Sequence, residues 1–183
     1  NIKYPQDIEL LNETREKLEE MICRLSDENG FYRPRMYREK ARKDYLALAK
    51  CRKRSAKNIR KAIKKQLQYI RRDLGYIDNL IENNGVELRK SDAELLDILM
   101  TVYEQQQYMY ENKTHTVNDR IVSISQPYIR PIVRGKAKSP VEFGAKLDLS
   151  VDETGMCRLE KLSFNAYNES EVLKSAIENY KKR

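Results

Sequence analysis

Seven aliphatic residues, Ile59, Ile63, Leu67, Ile70, Leu74, Ile77 and Ile81, recur at steps of four, four, three, four, three and four. That spacing follows the 3.6-residue turn of an α-helix and puts all seven on one stripe. The pattern predicts a helix of about six turns, closed by Asn83-Asn84-Gly85. Such a seam must be covered by another helix of the same chain or by a second copy, so a homodimer through Ile59–Ile81 is one expectation.

The opposite side of this stretch is cationic. From Arg33 to Arg72 there are 17 Lys and Arg against only Glu39 and Asp44, a local charge of +15 that leaves −7 for the remainder. The net +8 therefore hides a strongly polarised chain. A helix with an apolar stripe and a cationic face can lie along phosphates, where each neutralised charge releases counterions. Arg52, Lys53, Arg54, Lys57, Arg60, Lys61, Lys64 and Lys65 are the candidate DNA-binding residues here, with Arg130, Arg134 and Lys136 in a basic turn further on. Tyr32, Tyr37, Tyr45 and Tyr69 are interleaved with the cations and can add hydrogen bonds or stacking. A crowd of Lys and Arg predicts contacts that position a protein on duplex DNA, while sequence is read by other side chains, and no recognition helix with Asn or Gln in place stands out.

Residues 7–26 carry a second apolar stripe (Ile8, Leu11, Leu18, Met21, Ile22, Leu25), ended near Gly30. Pro34 opens the long stretch that runs to Asn83. A further helix is expected from Ser91, where Ser91 and Glu94 have capping-box spacing, to about Glu111, burying Leu95, Leu99, Val102, Gln106 and Met109. Then the texture changes. Residues 120–125 (RIVSIS), 141–151 (VEFGAKLDLSV) and 156–164 (MCRLEKLSF) are rich in β-branched residues, partly alternating, and separated by Pro and Gly turns. They predict three strands. A last helix starts near Asn168, its N-cap, and holds Val172, Leu173, Ala176, Ile177 and Tyr180. The expected organisation is a helical, basic, DNA-binding region over 1–115 and an α/β region over 116–183.

Other classes are disfavoured. Cys23, Cys51 and Cys157 lie far apart without metal-ligand spacing and read as small apolar fillers, consistent with reduced thiols in a cytoplasmic protein. No apolar run of about 18 residues predicts a membrane span, and no signal peptide is visible. The single His115 leaves little for histidine-based acid–base or Ser-His chemistry. Pro131–Lys136 lacks the glycine spacing of a nucleotide loop. The chain opens at Asn1 and stops at Lys181-Lys182-Arg183 inside a helical pattern, which reads as a segment of something longer.

Three phrases, QPYIRPIVRGK, VEFGAK and NAYNES, taken together over residues 119–173, resemble the middle region of bacterial insertion-sequence transposases of the DDE type. The resemblance implies DNA transposition. It also implies a fold: an α+β chain whose helical N-terminal region is followed by the first half, three strands and a helix, of an RNase H-like α/β core. Enzymes of that family hold two divalent ions, commonly Mg²⁺, between three carboxylates for in-line phosphodiester displacement. The family's second Asp and its Glu come after the helix expected near Asn168, so only the first carboxylate falls within this sequence. Asp119, leading into RIVSI, is the best match for that metal-binding catalytic residue, and Asp148 and Asp152 compete with it. The chain alone is therefore expected to be inactive in cleavage and strand transfer. The alternative is a non-catalytic nucleic-acid-binding protein that dimerises through the helical seam.

Overall fold

The computed structural model describes residues 7–133, 141–165 and 167–181. They form two compact units, divided between Ser125 and Gln126. The class is α+β, with five α-helices and two small antiparallel sheets among the described residues.

The first unit is helical. Helix α1 (Asp7–Glu28) packs against α2 (Arg38–Ala49), α3 (Ala56–Asp78) and α4 (Lys90–Asn112). All six of its stripe residues are buried. Because three helices surround it, polar positions of α1 are buried as well: Asn12, Thr14, Arg15, Glu19 and Ser26. Thr14 Oγ1 donates to the Leu10 carbonyl at 2.8 Å, Ser26 Oγ finds no hydrogen-bond partner among the described residues, and Asn12, Arg15 and Glu19 are joined to one another. Arg15 Nη1 donates to Glu19 Oε1 at 2.6 Å, its Nη2 to Asn12 Oδ1 at 2.8 Å, and its Nε to Gln66 Oε1 on α3 at 3.2 Å. Gln66 in turn donates to the Ala41 carbonyl of α2 at 3.1 Å, and Arg38 of α2 donates to Glu19 Oε2 at 3.2 Å. One polar network thus fixes three helices against one another.

The seam closes within the chain. Leu67, Ile70 and Ile77 are buried in the main core with α1 and α4 residues, and Ile63, Leu74 and Ile81 are half-buried against it. A homodimer through Ile59–Ile81 would have to open this core, so the seam is not the dimer face that its period alone allowed.

The long stretch after Pro34 holds two helices, and the second carries the seam. Lys50 closes α2, and Ser55 opens α3 by accepting a hydrogen bond from Asn58 N at 3.2 Å. A single π-helical turn, Asn79–Asn83, follows α3 before the chain reverses. Helix α4 begins at Lys90 with Arg89 as its N-cap and no side-chain cap, so the Ser91/Glu94 box does not form. The first turn is held instead by Asp92, ion-paired to Arg24 of α1 at 2.7 Å.

Residues 120–125 are not a strand. Ile121, Val122 and Ile124 are buried as an extended strap of the helical unit, which explains their β-branched character. The side chain of Gln105 on α4 accepts from Ile121 N at 2.8 Å, taking the place of a ladder partner.

The second unit holds β1 (Arg130–Val133), β2 (Val141–Gly144), β3 (Lys146–Val151), β4 (Cys157–Ser163) and α5 (Glu169–Lys181). β1 pairs antiparallel with β2, and β3 with β4. The expected single strand 141–151 is instead two strands, β2 and β3, which break at Ala145 after Gly144 at φ 145° and belong to different two-stranded sheets. The expected strand 156–164 is β4. The first strand does not begin at RIVSIS but further along the chain, at Arg130–Val133. Asn168 caps α5, accepting from Ser170 N at 3.1 Å, as its position predicted. The cross-strand pairs Leu147–Leu162 and Leu149–Leu159 leave their side chains about half exposed, so this hairpin buries little.

Asp73 on α3 is fully buried beside Arg72, whose Nη2 lies 2.6 Å from Oδ1. Burial pushes its carboxyl up to about 7, against the pull of the Arg72 hydrogen bond and charge, and nearby Glu19 adds to the rise. The folded chain therefore keeps a proton that the unfolded chain releases from about pH 4 upward, and this group's stabilising contribution declines as pH climbs from about 4 to about 7. Asp73→Asn removes that decline. Its melting temperature relative to wild type should rise between about pH 5 and about pH 8; thermal unfolding by circular dichroism showing the same difference at both pH values would contradict the assignment.

Candidate nucleic-acid interface

The cations of the Arg33–Arg72 window fall into two groups once placed. One group is tied into the fold. Arg33 pairs with Asp27, Arg38 with Glu19, Lys65 with Asp44 and Arg72 with Asp73. Arg60 donates to the Tyr110 carbonyl at 2.8 Å and lies 4.0 Å over the Tyr110 ring, bridging α3 to α4. Lys65 and Tyr69 both bond Asp44, and although partial burial works the other way, those bonds hold its carboxyl below the ordinary range. Burial and the Asp44 carboxylate raise the Tyr69 phenol to about 12. Lys65 and Arg60, both expected at the DNA, thus act first as braces between helices.

The other group faces solvent. Lys57, Lys61, Lys64 and Arg71 are exposed, and the structure gives them no ion pair with any described residue. With Gln68 they occupy positions 57, 61, 64, 68 and 71, a helical stripe opposite the buried Ala62, Gln66, Ile70, Asp73 and Ile77. Asn58 is exposed at the head of the same helix. At 1.5 Å per residue the stripe is about 21 Å long. Gln68 and Asn58 were not singled out from sequence. Their signal was available: Gln68 takes the same 3–4 spacing as the lysines, and neither residue can be in the seam.

The turn between α2 and α3 continues this face. Arg54 Nη2 donates to the Ala49 carbonyl at 2.8 Å, satisfying an end of α2, and the Cys51 thiol donates to the Lys53 carbonyl at 3.0 Å. The turn is so tied internally that exposed Arg52 and Lys53 are presented at its tip, just ahead of the α3 stripe. A helix, a tight basic turn and a second helix with a polar outer face can dock against a phosphate backbone.

The remaining candidates are Asp119 with its competitors Asp148 and Asp152, and Arg130, Arg134 and Lys136. Asp119 is exposed in the helical unit, in left-handed backbone at φ 51°, with its carbonyl accepting from Gln105 Nε2 at 3.2 Å. It precedes the buried strap and is not on a strand. Arg130 opens β1 in the second unit, and its guanidinium donates to the Pro127 and Ile129 carbonyls. Arg134 and Lys136 lie outside the described residues. Asp152 is structural: its Oδ1 accepts from Thr154 N at 3.0 Å, Thr154 Oγ1 at 2.6 Å and Met156 N at 3.0 Å, organising the β3–β4 turn. Those bonds, the Thr154 hydroxyl first, hold its carboxyl below the usual range. Asp148 sits on β3, in register with Lys161.

A metal centre of the kind the transposase resemblance implies needs converging carboxylates. Among the described residues no group of three or more His, Cys, Asp or Glu could hold a metal ion. Asp119 belongs to no such group and by itself does not make a site for Mg²⁺.

No family model matches the chain, and neither a curated protein nor a solved structure shows significant similarity to it. Among the described residues no helix is long and apolar enough to cross a membrane.

The division of the cations has a direct consequence for stability. Arg60→Ala should destabilise the helical unit by about 1–2 kcal/mol, since it removes a hydrogen bond and a cation stacked on a ring. Lys61→Ala, one residue on, should change stability by less than about 0.5 kcal/mol. Urea unfolding of the two variants checks this, and equal midpoints would refute the bracing role of Arg60.

Proposed function

We propose that the helical unit binds double-stranded DNA through the outer face of α3 and the Arg52–Lys53 turn, as the DNA-binding part of an insertion-sequence transposase. The observation that carries the binding reading is the unpaired cationic stripe Lys57, Lys61, Lys64 and Arg71. Two physical arguments support it. Cations at the start of a helix oppose its dipole, and the first turn of α3 has no acid to compensate. An anion there relieves that repulsion and meets free N–H groups as well. The exposed acids of the same unit lie chiefly on α1 and α4 (Glu13, Glu20, Glu94, Asp97, Glu104). The unit therefore carries separated charge that steers a polyanion to one side.

The transposase part of the reading rests on QPYIRPIVRGK, VEFGAK and NAYNES. The chain order of strands followed by a helix is the one that the opening of an RNase H-like core would have, although the four strands form two two-stranded sheets and not one. In this reading the first of the three carboxylates that hold Mg²⁺ would be Asp119, which stands ahead of the buried strap and not on a strand. The reading assigns only this one of the three carboxylates to a residue of the chain, and it implies action on DNA in the cytoplasm. The chain itself then binds DNA without cutting it. A non-catalytic DNA-binding protein shares the same interface and differs only in lacking that chemistry.

The test is duplex binding across a salt series. Log affinity should fall linearly with log salt, and replacing Lys57, Lys61 and Lys64 together with Ala should flatten the slope by about 2–3, near 0.9 for each phosphate no longer neutralised. A slope unchanged in the triple variant would reject α3 as the interface.

A further inference from the structure

The loop from Phe31 to Tyr37, between α1 and α2, has an unusual composition and an unusual backbone. Three of its seven residues are aromatic. The loop is firmly anchored: Phe31 N donates to the Ser26 carbonyl at 2.8 Å, Arg33 pairs with Asp27, and Met36 is buried in the main core. Its rings are nevertheless open to solvent. Phe31 is 37% exposed, Tyr37 46%, and Tyr32 is fully exposed. A loop with this much apolar surface in water and so rigid an attachment suits a stacking partner.

Tyr37 adds strain to exposure. It sits at φ 54° and ψ 37°, the left-handed region, as the residue before α2. For a side chain with a Cβ this costs about 1–2 kcal/mol, and Gly or Asn would fit there without it. Two guanidiniums lie near the ring, Arg35 at 4.7 Å and Arg72 at 5.8 Å from its centroid. Beside it opens a hollow of about 710 Å³, lined by Arg35, Met36, Tyr37, Lys40 and Lys43 among others. Arg35, Lys40 and Lys43 make no ion pair with any described residue, and Glu39 is the one acid on that lining.

One ring, Tyr37, lines this hollow together with Arg35, Lys40 and Lys43, and the fully exposed Tyr32 stands on the same loop outside that lining. Rings, a guanidinium and ammonium groups on one short segment match the chemistry of an unpaired nucleotide, with a base for the rings and a phosphate for the lysines. A base inside a duplex has both faces covered by its neighbours and offers nothing to these rings. We propose that the Phe31–Tyr37 loop takes unpaired nucleotides of DNA, stacking bases on Tyr32 and Tyr37 while Lys40 and Lys43 hold the phosphates, next to the duplex held by α3. This rests on the DNA-binding reading above and names the form of substrate: a duplex with a frayed or single-stranded end.

Binding of the full chain to a fluorescent blunt duplex, and to the same duplex with a short single-stranded extension, tests it. The extended duplex should bind about tenfold tighter, since stacking of a single base on an aromatic ring supplies an effect of that order. Tyr32→Ala should abolish the preference and leave blunt-duplex affinity unchanged, and Tyr32→Phe should retain it. Tyr32 is fully exposed, so neither change threatens folding. A 2-aminopurine placed in the extension should change its fluorescence on binding wild type and Tyr32→Phe only. Blunt-duplex binding with no preference for the extension, or a preference that survives Tyr32→Ala and Arg35→Ala together, would overturn this inference and leave the α3 interface standing. Failure to bind either DNA would overturn both.

Discussion

Arg15 lies with 1% of its surface exposed inside a four-helix unit, beside Glu19 at 1%. Burying such a pair is costly, and it is tolerated only when every lone pair and proton finds a partner. Here the partners come from three helices: Asn12 and Glu19 on α1, Gln66 on α3, and, through Glu19 and Gln66, Arg38 and the Ala41 carbonyl on α2. A hydrophobic core tolerates small slides and rotations, whereas directional hydrogen bonds between buried groups hold one geometry. The angle at which α2 and α3 leave α1 follows from it. So does which side of α3 meets solvent.

That constraint sorts the charge. Cations that face inward are captured by single acids, as Lys65 is by Asp44 and Arg72 by Asp73. Those on the outer side of α3 find none, because the acids of the unit lie chiefly on α1 and α4. The mutual repulsion of an uncompensated stripe is a cost in the free protein that a polyanion relieves. The strained Tyr37 and the half-buried hairpin of the second unit are further places where this chain gives up local stability. The first of these has a chemical use in the stacking role inferred for its loop.

The parts of this design that depend on apolar period were open to reading from the sequence. The stripe of α1, the seam of α3 and most of the buried face of α4 were legible because a 3–4 spacing of aliphatic residues fits a helix face and little else. The break at Lys50–Ser55 was not, since Lys and Arg are good helix formers and the stretch has no Gly or Pro there. Arg15, Gln66 and Asp73 look like surface residues in a sequence, and only the crowding of neighbouring helices buries them. RIVSIS reads as a strand because β-branched residues suit both strands and buried straps; its want of a pairing partner is a tertiary fact. β1 was hidden by Pro127 and Pro131, residues that argue against a strand except at an edge. At the interface, Lys57, Lys61 and Lys64 were legible as cations, but exposed Lys61 could not be told from Arg60, which is folded onto Tyr110.

The most direct measurement of the central claim is lysine footprinting: acetylation of the chain with and without duplex DNA, read residue by residue by mass spectrometry. Lys53, Lys57, Lys61 and Lys64 should lose reactivity on binding, while Lys17 on α1, Lys90, whose side chain is 91% exposed, and Lys113 keep theirs. Protection at Lys90 or Lys113 with the α3 lysines still reactive would place the DNA on another face and contradict the interface derived from the fold.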